Sequence, residues 1–144
     1  MFAAVRPDAW ELPLFVHVLG AVMLVGTLVV VFAMSAAAVR GGDGAAVLSR
    51  LSFRALVIGV LPSYVVMRAG AEWVASEEAV DDEWAWIGIG YMTSDVGLLL
   101  TLIAIGLAWR ASRRGTPARA VMVLAAVLLL AFAVAIWAMT TKPE

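Results

Sequence analysis

The chain of 144 residues contains no cysteine and only one histidine, His17. Without cysteine it can form neither disulfides nor thiolate metal sites, and it has no cysteine nucleophile. A single histidine also excludes a zinc site built from several imidazoles of one chain. No glycine-rich phosphate loop, nucleophile elbow or metalloprotease motif is present. The sequence therefore indicates no catalytic residues and no metal site, and catalysis is expected only through a bound cofactor.

Charge is scarce as well: 15% of the residues are charged, 64% are hydrophobic, and the mean hydropathy is +0.99. This composition predicts an integral membrane protein of one domain. Basic residues are few and lie beside apolar stretches, so nucleic acid binding has no support. Four spans are predicted, at about 12–39, 50–73, 84–109 and 119–141. The second has only 13 consecutive uncharged residues, so it must extend past Arg54 or Arg68 to cross a core of about 30 Å.

The loops between these spans differ strongly in charge. The first and third loops carry +2 and +4, whereas the stretch 72–83 contains six acids and no base. Because Lys and Arg favour the cytoplasmic side, we expect the first and third loops inside and both termini outside. Short connections make sequential helices antiparallel, which predicts an all-α, up-down four-helix bundle. The first apolar run of 28 residues lacks a basic lead, so it is expected to be a span and not a signal peptide.

Asp95 lies about halfway along the third span, where a carboxylate costs at least about 2.5–3.5 kcal/mol. We therefore expect it to face the bundle interior or a wet cavity and to have a polar partner. Arg68 is the candidate partner if it turns inward, although the span boundaries place it about 9 Å nearer the outer surface. One alternative is that Arg54 and Arg68 extend along their stems to the interfaces. Another is that Asp95 and Arg68 only fix the register of the helices.

Other polar side chains of the spans lie in the same leaflet. Tyr64 precedes Arg68 by one helical turn, Tyr91 precedes Asp95 in the same way, and His17 lies about 6 Å from the outer end of the first span. The sequence therefore predicts a ligand-binding cavity near the outer face. Its expected lining residues are His17, Tyr64, Arg68, Tyr91 and Asp95.

His17 lies three residues before Gly20, which would allow another helix or a flat ligand to approach the backbone. Residues 15–20 (Phe-Val-His-Val-Leu-Gly), with four spans and external termini, resemble the CopD-like group of small bacterial membrane proteins. That group includes copper-resistance proteins and a protoporphyrinogen oxidase of similar size. The resemblance implies a bacterial plasma membrane and, from the haem-related members, porphyrin binding at His17. Segments 62–73 and 137–143 are similar to uncharacterised actinobacterial proteins of this type.

Three functions remain open at this stage. The first is a non-enzymatic membrane protein that holds a small ligand or ion in the outer-leaflet cavity. The second is a redox protein that binds haem b, with His17 as axial ligand and a methionine or a second protomer completing the coordination. The third is an accessory structural subunit, in a homo-oligomer or a larger membrane complex, in which the polar groups satisfy one another. The lipid bilayer is the partner that all three share.

Overall fold

The computed structural model describes residues 11–78 and 85–141, and every regular element in these two ranges is helical. The elements, in chain order, are α1 (Glu11–Arg40), α2 (Ala45–Ala55), a π-helical segment (Leu56–Val60), α3 (Leu61–Glu78), α4 (Ala85–Arg114) and α5 (Arg119–Thr141). The all-helical prediction is confirmed for the described residues. Within these ranges, four helices are long and apolar enough to cross a membrane.

The second of these four long helices is built from three pieces that follow one another without a break, α2, the π-helical segment and α3. Pro62 has no backbone N–H to donate to the carbonyl four residues earlier, so the α-helical pattern cannot continue unchanged through it. The backbone widens into π geometry directly before it, where the Leu61 N–H bonds the Leu56 carbonyl. The result is one long helix that carries charged residues at both of its ends.

The two short connections lie at the same end of the bundle and contain the glycines with positive φ. Gly41 and Gly42 follow α1 with φ of 87° and 111°, and Gly115 follows α4 with φ of 64°. Glycine adopts these angles without steric cost, which lets each helix stop and the chain reverse. We call this the arginine-rich end, because Arg40, Arg50 and four arginines at 110–119 surround it. The opposite end, where α1 begins and α5 ends, is the terminal end.

The helices pack in a ring in which α1 contacts both α2 and α3 on one side and α5 on the other, while α4 contacts α5 and α2. The core runs through the middle of this ring. Its most buried side chains are Leu24, Leu28, Val31, Leu56, Val60 and Leu128. By contrast, α4 contacts α3 far less than it contacts α2. The ring is therefore closed at the arginine-rich end and loosens between α3 and α4 at the terminal end.

The outer surface of the bundle is apolar along most of its length. Large hydrophobic side chains such as Phe15, Ile58 and Leu130 are mainly exposed. Trp73 and Trp137 are exposed near the terminal end and Trp109 near the arginine-rich end. Part of the acidic stretch belongs to α3; its residues 79–83, like Trp10 and Trp84, lie outside the described ranges. An exposed apolar belt of this extent is typical of a protein surrounded by lipid.

Candidate functional site

One face of α3 packs against α1 so closely that two glycines form the contact. A Cβ atom built on Gly70 would lie 2.6 Å from the Cα of His17, and one built on Gly20 would lie 2.6 Å from the Cα of Met67. Real Cβ atoms essentially never approach so near, so only glycine fits at either position. Gly20 and Gly70 lie on opposite helices, about one turn apart along the crossing. The two backbones therefore meet directly at the terminal half of the bundle.

His17 is part of this crossing between α1 and α3. Its Nδ1 lies 2.9 Å from the carbonyl oxygen of Met67, and because a carbonyl can only accept, Nδ1 carries the proton. The α3 backbone at Met67 fills the space beside Gly20. Of the two neighbours expected there, another helix or a flat ligand, the structure therefore contains the helix. A porphyrin does not fit against Gly20 in this arrangement. His17 was predicted to line the cavity, and the structure gives it a bond between helices.

On its other side α3 makes little backbone contact with α4, and we call the gap between these two helices the cleft. At the floor of this cleft the Tyr64 hydroxyl and the Ser94 hydroxyl are hydrogen-bonded at 3.1 Å, and both residues are buried. Above them the two helices are joined by long polar side chains. The phenol of Tyr64 thus has a partner away from water, as a buried hydroxyl requires.

Arg68 links α3 to α4 one helical turn above the Tyr64–Ser94 hydrogen bond. Its Nη1 lies 3.4 Å from Oδ1 of Asp95 on α4, and its Nη2 lies 3.0 Å from Oε1 of Glu72 one turn later on α3. The guanidinium also lies over the ring of Tyr91, 4.6 Å from its centre. We call these four residues the Arg68 cluster. It brings together three of the predicted site residues, with Tyr64 directly beneath.

Asp95 lies on the outside of the bundle and not in its interior, the first of the two placements expected for it, and it has the expected polar partner in Arg68. Its side chain is 68% exposed, against 29% for Arg68. The buried stripe of α4 runs through Ser94, Gly97 and Thr101, and one further residue turns a helix by about 100°. Asp95 follows Ser94 directly and so points away from the core. The cluster consequently opens sideways, toward whatever surrounds the bundle.

The difference in depth that the sequence predicted between Arg68 and Asp95 is absent. That prediction counted from spans ending at residue 73 and beginning at residue 84. In the structure α3 continues past residue 73 to at least Glu78, and Nη1 of Arg68 lies 3.4 Å from Oδ1 of Asp95. This distance places the two charged groups at one height, where the guanidinium reaches the carboxylate directly.

Sequence reasoning left Glu72 and Ser94 out of the predicted site. The spacing of four between Arg68 and Glu72 was the available signal for Glu72, and Ser94 is the neighbour of Asp95 in the chain.

Sequence reasoning also missed a second polar group, at the arginine-rich end. There the hydroxyls of Ser35 and Ser52 are hydrogen-bonded at 3.2 Å beside a cavity of about 10 Å³. That volume is about enough for one water molecule.

Comparison with known proteins adds no relative: no protein family, no curated protein and no solved structure matches this chain. The resemblance of the first span to CopD-like proteins therefore stays a prediction. Within residues 11–78 and 85–141, no three histidine, aspartate or glutamate side chains are grouped so that they could hold a metal ion. The Arg68 cluster is the candidate site that rests on the chain's own geometry.

Proposed function

We propose that this chain is a multi-pass protein of a bacterial plasma membrane, with both termini outside, and that the Arg68 cluster binds a small ligand or ion in the outer leaflet. Its orientation follows from the arginines gathered at the opposite end of the bundle, which favour the cytoplasmic side. The apolar outer surface supports insertion, because a belt of exposed large hydrophobic side chains is unfavourable in water. No catalytic step is part of this proposal.

The observation that carries the proposal is the Arg68–Asp95 ion pair, which bridges the gap between α3 and α4. The hydrocarbon of a bilayer contains no water to solvate a carboxylate. The charged groups of an ion pair at that depth therefore need hydrogen-bond partners from the protein or from a bound molecule. Arg68 faces two carboxylates, so the three charges sum to −1. Each carboxylate has a second oxygen, and the mostly exposed Asp95 can offer its own to a cation or a hydrogen-bond donor.

The orientation can be tested directly because the chain has no cysteine of its own. We expect Ser76→Cys, on the exposed terminal half of α3, to react with a membrane-impermeant maleimide in intact cells. Thr116→Cys, in the exposed connection before α5, should react only after the cells are permeabilised. The reverse pattern would place the Arg68 cluster in the inner leaflet and overturn this part of the proposal.

Binding can be tested by thermal unfolding of the purified protein with named probes: sodium, potassium, ammonium and tetramethylammonium chlorides and sodium acetate, at matched ionic strength. A ligand that binds only the folded state raises the unfolding temperature with its concentration. We expect at least one probe to do so for the natural chain and to lose its effect in Asp95→Asn. If natural chain and variant respond alike to all five, the Arg68 cluster is not a binding site for small ions.

A further inference from the structure

Three helices of the bundle each present an exposed stripe to the outside, and the stripe on α4 differs from the other two. On α1 it runs through Phe15, Val22 and Val29, and on α5 through Val123, Leu130 and Trp137; neither includes a charged residue. The stripe on α4 is given by residues with alternating spacings of four and three: Gly88, Met92, Asp95, Leu99, Leu102 and Gly106. The second long helix also presents a stripe, Leu51, Ile58, Val65 and Glu72, but its carboxylate lies at the terminal end. Among the described residues, only the α4 stripe therefore places a carboxylate between apolar residues on a face suited to lipid.

Lipid is an unsuitable neighbour for that face. A charged side chain in the hydrocarbon is costly unless it is paired within protein or reaches water, and Asp95, at 68% exposure, is only partly covered by its own Arg68. The apolar stripes of α1 and α5 need no such cover. Something polar is thus expected to lie against α4 at the height of Asp95, and an apolar surface is expected to lie against Met92 and Leu99.

We propose that a second copy of this chain covers the α4 stripe, forming a parallel dimer in which the cleft above Tyr64 and Ser94 is closed by the partner copy. The inference rests on the proposed function for its membrane setting. A twofold axis normal to the membrane keeps every residue at its own height, so the Arg68 cluster of one copy meets the same cluster of the other. The face is complementary to itself, because it carries Arg68 and Asp95 at one height with apolar residues on either side.

The backbone of α4 allows the close approach that such a seam requires. A Cβ built on Gly88 or on Gly106 would meet no atom within 4 Å, so both glycines leave open space on the outside of the helix. Small residues at such positions allow membrane helices to pack tightly. The alternating spacing of four and three is also the one that keeps a seam continuous between two slightly supercoiled helices. In the seam, we expect Arg68 of one copy to reach Asp95 of the other, so that these two pairs sum to zero charge. Glu72, one turn nearer the terminal end, carries the remaining negative charge of each cluster.

The first experiment uses cysteine cross-linking in membranes, since the natural chain has no background thiol. Leu99→Cys lies on the α4 stripe, and Leu130→Cys is the matched control on the α5 stripe, with exposures of 59% and 70%. We expect oxidation to convert most of Leu99→Cys, and less than a tenth as much of Leu130→Cys, to a covalent dimer. Equal cross-linking of both variants, cross-linking of Leu130→Cys alone, or none in either overturns the proposal, the last outcome leaving lipid or a different protein against α4.

The second experiment exchanges charges between two tagged copies that both carry Leu99→Cys. In one copy, Arg68→Asp leaves an acid at both positions 68 and 95. In the other copy, Asp95→Arg leaves a base at both positions. Expressed alone, each should cross-link at least fivefold less than the parent, because like charges meet across the seam. Expressed together, they should recover the mixed dimer to within about twofold of the parent, a factor of two corresponding to about 0.4 kcal/mol.

Failure of the mixed dimer when both copies reach the membrane overturns the contact between Arg68 and Asp95 of different copies. If either variant fails to reach the membrane, the Leu99→Cys and Leu130→Cys comparison decides alone, since it leaves the charges untouched. Failure of the proposed function looks different. A chain that cross-links through Leu99→Cys but shows no ion response that depends on Asp95 keeps the dimer and loses the binding site.

Discussion

The two sides of α3 contact their neighbouring helices, α1 and α4, in different ways. Toward α1, Gly70 of α3 and Gly20 of α1 both lie at the crossing, so the two backbones are in direct contact. Toward α4, it extends Arg68 across a gap to Asp95. The first contact gains its stability from close approach and dispersion, which act only at short range. The second gains it from charge, which acts across a wider separation.

This difference explains why the bundle is closed on one side of α3 and open on the other. Two helices that meet through glycines cannot separate without losing most of their contacts. Two helices joined by an arginine can change their distance by several ångströms while the long side chain follows. The α1–α3 pair is thus expected to be the rigid half of the terminal end. The α3–α4 cleft is the half that can admit a ligand or a second copy.

The largest effect is expected from filling the glycine contact. Gly70→Ala places a Cβ against the His17 backbone, which cannot yield as a flexible side chain would, so we expect a loss of about 1–3 kcal/mol in unfolding free energy. Gly26→Ala is the matched control on α1, because its Cβ would meet nothing within 4 Å. The measurement is unfolding of the purified protein by sodium dodecyl sulfate in mixed micelles. Equal effects of the two substitutions would show that the helices do not meet through Gly70.

Removal of Arg68 is expected to come next. Arg68→Ala leaves Asp95 and Glu72 without their shared cation, and a group left unsatisfied costs about 1–3 kcal/mol. Asp95→Asn introduced into Arg68→Ala should restore part of the stability, because the unpaired charge is then gone. Arg113→Ala is the control, since Arg113 also stacks on an aromatic ring, that of Trp109 at 4.9 Å, and should cost less than about 1 kcal/mol. Loss of stability that persists unchanged in the double variant would exclude an ionic role for Arg68.

The helical architecture could be predicted because it depends on a coarse property. Uncharged stretches about as long as a bilayer is thick set the number of long helices, and short glycine-containing connections set where they turn. The helix ends were harder, since α3 continues past residue 73 through charged residues to at least Glu78. A helix can continue past the apolar stretch because its backbone hydrogen bonds are internal. Counting from residue 73 therefore placed Arg68 too near the outer surface.

The side of α4 on which Asp95 lies could not be predicted by the same reasoning. The free-energy cost of placing a carboxylate in the membrane predicts that Asp95 has a partner, and Arg68 is that partner. It does not say that the partner must be in the core. The direction depends on which residues of α4 face the other helices of the bundle, and the small residues Ser94, Gly97 and Thr101 take those positions. In a helix with so many apolar residues all around, periodicity does not mark the inner face.

A smaller effect is expected at the edge of the glycine contact. His17→Leu removes the donor that bonds the Met67 carbonyl, and a hydrogen bond of this kind contributes about 0.5–1.5 kcal/mol. His17→Asn is the informative partner variant, because its amide nitrogen can occupy nearly the position of Nδ1. We expect it to recover at least half of the loss in the same unfolding assay. A His17→Asn variant as unstable as His17→Leu would assign the effect to the shape of the ring.

The smallest effect is expected from Glu72, which shares Arg68 with Asp95 but lies one turn nearer the terminal end and is 53% exposed. An exposed pair four residues apart on a helix contributes about 0.3–0.5 kcal/mol, and salt screens it. Glu72→Gln should therefore cost little, and the cost should vanish as sodium chloride is raised from about 0.05 M to 0.5 M, where the screening length shortens severalfold. Asp95→Asn should instead keep its effect at high salt, because a pair away from water is screened far less. Should the two carboxylates respond to salt in the same way, both would lie in water, and the cleft between α3 and α4 would not be in the hydrocarbon.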